Sequence, residues 1–128
     1  MRVYYEDTDA GGVVYHSQYL NFLERARTEW LRHLGFEQTD LRDNLNVLIV
    51  VHSLQIAFKK PAKFNDLLNV KSQLTALGNS SWQCAQHIYR NDELLIEAQV
   101  KAAFINSITF KPTRMPAAVL QVAKKLIF

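Results

Sequence analysis

A single cysteine, Cys84, occurs in 128 residues. An internal disulfide is therefore excluded, which fits a reducing compartment. Cys84 falls mid-strand with no glycine turn beside it, so it reads as a small buried hydrophobe and not as a nucleophile. No apolar run reaches the roughly eighteen residues that a membrane helix needs. The first residues, Met1 to Asp7, are too polar for a secretory signal. A cytoplasmic location is the expectation. Dense runs of lysine and arginine are also missing, and the formal charge is only +3. That excess is too mild for a nucleic-acid partner, but it suits a small anionic one. His33, His52 and His87 show no metal spacing with each other or with Cys84, so no metal and no cofactor is expected.

The composition is otherwise that of a globular protein, with 48% hydrophobic and 21% charged residues. The length favours one domain over residues 1–128. Arg2–Glu6 reads as a short strand with Val3 and Tyr5 on one face. Tyr19, Leu23, Ala26, Trp30 and Leu34 then recur every three or four residues, and Leu20, Phe22 and Leu31 widen the stripe. This pattern predicts an amphipathic helix over 18–34, about 25 Å long. Ser17 is its expected N-cap and Gly35 its expected C′ residue. Phe36 to Asn46 reads as a polar connection. Four strands follow at Val47–Phe58, Leu67–Leu77, Ser81–Arg90 and Leu94–Asn106. Gly78-Asn79-Ser80 and Asn91-Asp92 are hairpin-short, so the last three strands should be antiparallel neighbours. Ala117–Phe128 reads as a short amphipathic helix that packs on the domain or on a partner. One strand, one long helix and a four-strand meander give an α+β class: a five-stranded antiparallel sheet with a helix on one face. One helix leaves much of such a sheet uncovered, which argues for an oligomer.

The stretch Asp7-Thr8-Asp9-Ala10-Gly11-Gly12-Val13-Val14-Tyr15-His16 concentrates chemistry. It sets an acid on a glycine turn beside the free amides of a helix N-terminus. That pairs a base or nucleophile with a site able to stabilise negative charge on oxygen, as attack on a carbonyl requires. On the residues alone, Asp9 is equally well read as a turn aspartate that satisfies its own backbone. Gly11 and Gly12 permit the turn and a close approach of ligand to main chain.

Tyr5-x-Asp7-Thr8-Asp9-Ala10-Gly11-Gly12-Val13-Val14-Tyr15-His16-x-x-Tyr19, followed by Phe22-x-Glu24-x-Ala26-Arg27, resembles the signature of the hotdog-fold acyl-CoA thioesterases. Within them it is most similar to the YbgC-type branch linked to the Tol-Pal envelope system, relatives of 4-hydroxybenzoyl-CoA thioesterase. The back half matches in strand order and in the Lys-Pro-x-Arg-x-Pro ending. The resemblance implies a hotdog fold, with the sheet wrapped around one long central helix, and dimers that share one continuous sheet and pair as a homotetramer. It also implies a first edge strand trimmed relative to other members.

The implied activity is hydrolysis of acyl-CoA to a free acid and CoA. Asp9 takes the position of the catalytic carboxylate, as nucleophile or general base. The backbone N–H of His16 takes the position that polarises the thioester oxygen, a kind of donor whose loss costs roughly 3 kcal/mol in well-studied cases. The His16 side chain and the Tyr5 hydroxyl are implied to assist Asp9. Gly11, Gly12, Val14 and Tyr15 are implied to line the substrate. Lys59, Lys60 and Lys63, with Arg90 and Arg114 as possible additions, are candidates for the CoA phosphates. Ser80 and Ser81 are candidates for the pantetheine entrance. Glu24 reads as a structural group paired with Arg25, Arg27 or a neighbouring subunit. Competing readings are a hotdog dehydratase or hydratase, and a non-catalytic acyl-CoA-binding or scaffold protein of the envelope machinery. Envelope or lipid-synthesis proteins are the possible peripheral partners.

Overall fold

The computed structural model describes residues 1–127. Its strands are β1 (Val47–Phe58), β2 (Asn69–Leu77), β3 (Ser81–Arg90) and β4 (Glu93–Asn106). They form one antiparallel sheet in the order β1-β4-β3-β2. The two short turns do make hairpins, and Asn91 takes the left-handed conformation in the second (φ 54°). The helices are α1 (His16–His33), α2 (Gln38–Leu45) and α3 (Ala117–Leu126). The predicted end of the last helix, Phe128, lies outside the described residues.

The sheet has four strands and not the expected five. Arg2 makes only an isolated bridge to Leu67, and Tyr5–Asp7 is a single turn of 3-10 helix. Local bonds explain this. The N–H groups of Asp7 and Thr8 donate to the carbonyls of Tyr4 and Tyr5, and the Tyr4 N–H donates to Asp7 Oδ2. Those donors are spent within the turn and cannot extend a ladder. Val3 and Tyr5 consequently part company: Val3 is fully buried and Tyr5 is 77% exposed.

α1 begins two residues earlier than predicted, with Tyr15 and not Ser17 at the N-cap. Gly35 does take a positive φ (96°) just after the helix. Tyr19, Phe22, Leu23 and Leu31 are buried, whereas Leu20 points outward. The predicted connection Phe36–Asn46 holds α2, which buries Leu41. Leu41 and Leu45 at i, i+4 and a left-handed Asn46 at the cap (φ 55°) were the signals for it.

The core lies on one face of the sheet in two clusters. Val3, Val14, Tyr19, Phe22 and Leu23 pack with Ile88, Ile96 and Ala98. Leu31, Leu41, Trp82, Phe104, Val119 and Ala123 form the second. α3 thus packs on the domain through Val119 and Ala123. Cys84 is buried, and burial pushes its thiol above the usual range.

Candidate active site

The segment Asp9–Val13 is a tight turn. The Asp9 N–H donates to the Val13 carbonyl at 3.0 Å, and the Gly12 N–H donates to the Asp9 carbonyl at 3.1 Å. Thr8 and Val14 bridge at its base. The Gly11 N–H donates to Asp9 Oδ1 at 2.8 Å, so the carboxylate engages its own turn through one oxygen. Gly12 has φ 79°, a conformation that a side chain disfavours. A Cβ on Gly11 would stand 3.2 Å from Asp9 Oδ1.

Immediately after the turn, α1 starts. Its N-cap, Tyr15, supplies no side-chain acceptor. The amides of the first turn of an α-helix have no intrahelical partner and carry partial positive charge. A half-buried carboxylate and an uncapped helix N-terminus therefore lie within one short segment.

Two anchors hold this arrangement, and neither was legible as such. Asp7, not Asp9, is the buried acid: Oδ2 accepts the Tyr4 N–H at 2.9 Å and Oδ1 accepts Gln18 Nε2 at 2.8 Å. It fastens the start of the loop to the first turn of α1. Tyr19 is the second anchor. Its hydroxyl accepts the Ala62 N–H at 2.9 Å, and burial raises its pKa. The Val14 N–H donates to the Ala62 carbonyl, and Val13 bridges to Lys63. The Lys59–Lys63 segment, distant in sequence, is thereby clamped against the Asp9 turn.

The remaining candidates divide. His16 is exposed and its ring lies on Phe58, with centroids 4.5 Å apart. His16, Val14, Lys59 and Lys60 line one small cavity of about 170 Å³. Tyr15 is exposed beside them. The ring of Tyr5 packs edge-on against Phe64 at 5.9 Å. Lys60 pairs with Glu93 at 2.7 Å, and Lys59 stands 3.9 Å from Glu97. Arg90 is held by Asp66 and Glu93. Lys63 is exposed and has no ion pair among the described residues. Ser80 and Ser81 fall at the far end of the sheet. Ser81 aligns with Ala103, whereas the Asp9 turn neighbours the Phe58–Ile96 end. Seven residues of strand separate those positions, about 23 Å. A single chain does not bring the serines to the Asp9 turn.

Glu24 makes no ion pair with Arg25 or Arg27 among the described residues, which leaves a neighbouring subunit as the partner of the three expected. Arg27 instead donates to Gln86 Oε1 at 2.9 Å, and the wholly buried Gln86 donates to the Leu23 carbonyl and Ser72 Oγ. The unforeseen element was a buried amide on β3 that satisfies the guanidinium first.

Residues 3–123 match the thioesterase-like superfamily. The chain belongs to that superfamily. It is 44% identical over 119 residues to the acyl-CoA thioesterase YbgC of Haemophilus influenzae, covering 93% of this chain and 88% of that protein. It is 38% identical over 126 residues to the acyl-CoA thioester hydrolase YbgC of Escherichia coli, covering 98% and 93%. Among solved structures, the 1,4-dihydroxy-2-naphthoyl-CoA thioesterase of Synechocystis superposes with a TM-score of 0.90 at 25% identity, covering 100% of this chain and 95% of that one. The resemblance read from the front motif is thus to the same family. No helix among the described residues is long and apolar enough to cross a membrane.

Proposed function

We propose that this protein is a cytoplasmic acyl-CoA thioesterase, one hotdog domain over residues 1–128, that hydrolyses acyl-CoA to a free acid and CoA. The observation that carries this reading is the Asp9 carboxylate on its glycine turn beside an uncapped helix N-terminus. YbgC relatives along nearly the whole chain support it. The thioester carbonyl faces the first amides of α1, with the His16 N–H polarising its oxygen. Asp9 then attacks the carbonyl carbon or takes a proton from the attacking water. Only one of its oxygens is engaged by the turn, so the other is free for that work. Val14, Tyr15 and the His16 ring border the reacting group, and Gly11 and Gly12 let it approach the backbone. Tyr5, turned out toward Phe64, would serve through a partner copy or not at all.

Lys59, Lys60 and Lys63 attract the CoA phosphates as point charges. Lys63 is the least compromised of them, since Lys60 shares its charge with Glu93. Ser80 and Ser81 could border the pantetheine only from another subunit, given their place at the opposite end of the sheet.

An oligomer is part of the reading. β1 is a twelve-residue edge strand carrying exposed Val50 and Val51. A long, apolar, uncovered edge favours pairing with another strand. Two copies joined there form one continuous sheet, and two such dimers a homotetramer. Envelope or lipid-synthesis proteins would be peripheral partners of that assembly. CoA release from a panel of acyl-CoAs, followed with a thiol reagent, tests the activity. Acyl-CoA bound without turnover would favour the non-catalytic alternative, and hydration of an enoyl-CoA the dehydratase or hydratase class.

A further inference from the structure

β1 and β2 are opposite edges of the sheet, so the connection between them, residues 59–68, must cross the sheet's end. The β3–β4 hairpin lies between those edges, and Arg90 aligns with Glu93 where it turns. The crossing is fastened as it leaves β1: the N–H groups of Lys59 and Lys60 donate to the Leu95 carbonyl at 2.8 and 3.2 Å. Further along, Arg90 grips it. Nη1 donates to Asp66 Oδ2 at 2.6 Å and makes a longer contact of 3.4 Å with the Pro61 carbonyl. Nη2 donates to Glu93 on the hairpin. One planar guanidinium thus ties two points of the crossing to the end of the sheet.

Asp66 passes that grip on. Its Oδ2 also accepts the Lys63 N–H at 2.8 Å, and its own N–H donates to the Lys63 carbonyl at 3.0 Å. Lys63 bridges to Val13, and the Val14 N–H donates to the Ala62 carbonyl at 2.9 Å. Val13 supplies the carbonyl that closes the Asp9 turn. Among the described residues, the Asp9–Val14 segment makes backbone bridges to this crossing and none to the four strands. The path from the sheet to the Asp9 turn therefore runs through Arg90, Asp66, Lys63 and Val13. The same contacts keep Arg90 from other work: a carboxylate engages each of its terminal nitrogens, whereas Lys63 stands exposed.

We propose that Arg90 is a positioning residue for thioester hydrolysis, which fixes the Pro61–Lys63 segment and through it the place of the Asp9 turn, and does not hold the CoA phosphates. The inference rests on the reading of Asp9 as the reacting carboxylate.

The test is Arg90→Gln, assayed with acyl-CoA and with a truncated thioester lacking the nucleotide. A displaced carboxylate slows the chemistry, so kcat should fall about tenfold on both substrates with KM little changed. Asp66→Asn keeps an acceptor for the Lys63 N–H but removes the charge that orients the guanidinium, and it carries the same comparison should Arg90→Gln fail to fold. It should lower kcat on both substrates as well, and the double variant should lose less than the product of the two effects. Amide exchange reads the clamp directly. In Arg90→Gln the Val14 N–H should exchange about tenfold faster while the β4 amides keep their protection, a local change that general destabilisation does not produce. Raised KM for acyl-CoA alone, with kcat unchanged, assigns Arg90 to the phosphates and overturns the proposal. A lowered KM in Asp66→Asn does the same, being the sign of a guanidinium released toward phosphate. Wild-type kcat in Arg90→Gln, with Asp9→Asn inactive, overturns the proposal and leaves the Asp9 reading intact. A kcat loss and faster Val14 exchange in Arg90→Gln, with Asp9→Asn fully active, supports Arg90 as a positioning residue and sinks the Asp9 reading.

Discussion

Gln18 donates its side-chain amide to the buried carboxylate of Asp7 at 2.8 Å, tying the loop that carries Asp9 to the first turn of α1. The other Asp7 oxygen accepts the Tyr4 N–H. Truncating Asp7 leaves two donors without a partner, and a buried donor so stranded costs about 1–3 kcal/mol. We expect Asp7→Ala to lower unfolding free energy in urea by about 2 kcal/mol or more. Gln18→Ala should cost less, and the double variant should fall short of the sum, since the two share one bond. Full additivity would mean that the Asp7–Gln18 bond contributes nothing.

The two glycines of the turn should respond differently to alanine. Gly12→Ala meets open space but must hold φ 79°, so its cost is conformational, about 1 kcal/mol of stability. Gly11→Ala brings a Cβ to 3.2 Å from Asp9 Oδ1 and must displace that carboxylate. Catalysis is sensitive to such displacements. Gly11→Ala should therefore reduce kcat for CoA release about tenfold or more while moving Tm less than Gly12→Ala does. The reverse ranking of kcat losses would show that the orientation of Asp9 is immaterial.

Much of this architecture is legible because its signals are local. The stripe from Tyr19 to Trp30 and the two hairpin turns carry their own periodicity and turn chemistry. The failures share a cause as well. Arg2–Glu6 alternates like a strand, yet the Asp7 carboxylate captures the Tyr4 N–H and curls the chain. The placement of Asp9 between glycines advertised it, whereas the burial of Asp7 depended on Gln18, eleven residues on. Gln86 was invisible for the same reason. An amide in a strand is unremarkable until Arg27, 59 residues away, arrives beside it. Within one chain the serines at 80 and 81 stand at the other end of the sheet from the Asp9 turn, because register, not composition, decides which end of a sheet a turn occupies.

Cys84 bears on any assay that uses a thiol reagent. It is 2% exposed, and burial raises its thiol pKa, which removes the reactive thiolate. Folded protein should consume essentially no reagent on the timescale of CoA release, and denatured protein one equivalent. Rapid labelling of the native chain would show that the β3 core opens readily.

The basic loop should act on binding. Lys60 is paired with Glu93, which also holds Arg90, so its charge is partly spent. Glu93→Gln should release that charge and lower KM for acyl-CoA. Replacing Lys59, Lys60 and Lys63 together by glutamate should raise KM with little change in kcat, the pattern of lost uniform binding. Added salt should weaken the wild type by screening the same attraction. A truncated thioester lacking the nucleotide should scarcely register any of these changes. An equal effect on that substrate would move the phosphate site elsewhere.

Asp9→Asn isolates the chemistry from the fold. The turn uses Asp9 Oδ1 as an acceptor for the Gly11 N–H, and an asparagine carbonyl oxygen can fill the same place at the same distance. The backbone bonds of Asp9 with Val13 and Gly12 are untouched by the change. Stability and oligomeric state should therefore match the wild type. What the amide lacks is a basic, nucleophilic oxygen on its free side. If Asp9 attacks the thioester or activates water, kcat should fall by about 10²–10⁴ with KM little altered. Single-turnover analysis in ¹⁸O-labelled water then detects the covalent route by where the label goes. Unlabelled product acid on the first turnover, with ¹⁸O in the Asp9 carboxylate, shows an acyl-aspartyl anhydride opened by water at the Asp9 carbonyl carbon, whereas attack of water on the acyl carbon labels the acid at once. A folded Asp9→Asn protein with wild-type turnover would reduce Asp9 to a turn residue, and the catalytic base would have to be sought among the groups that face the N-terminus of α1.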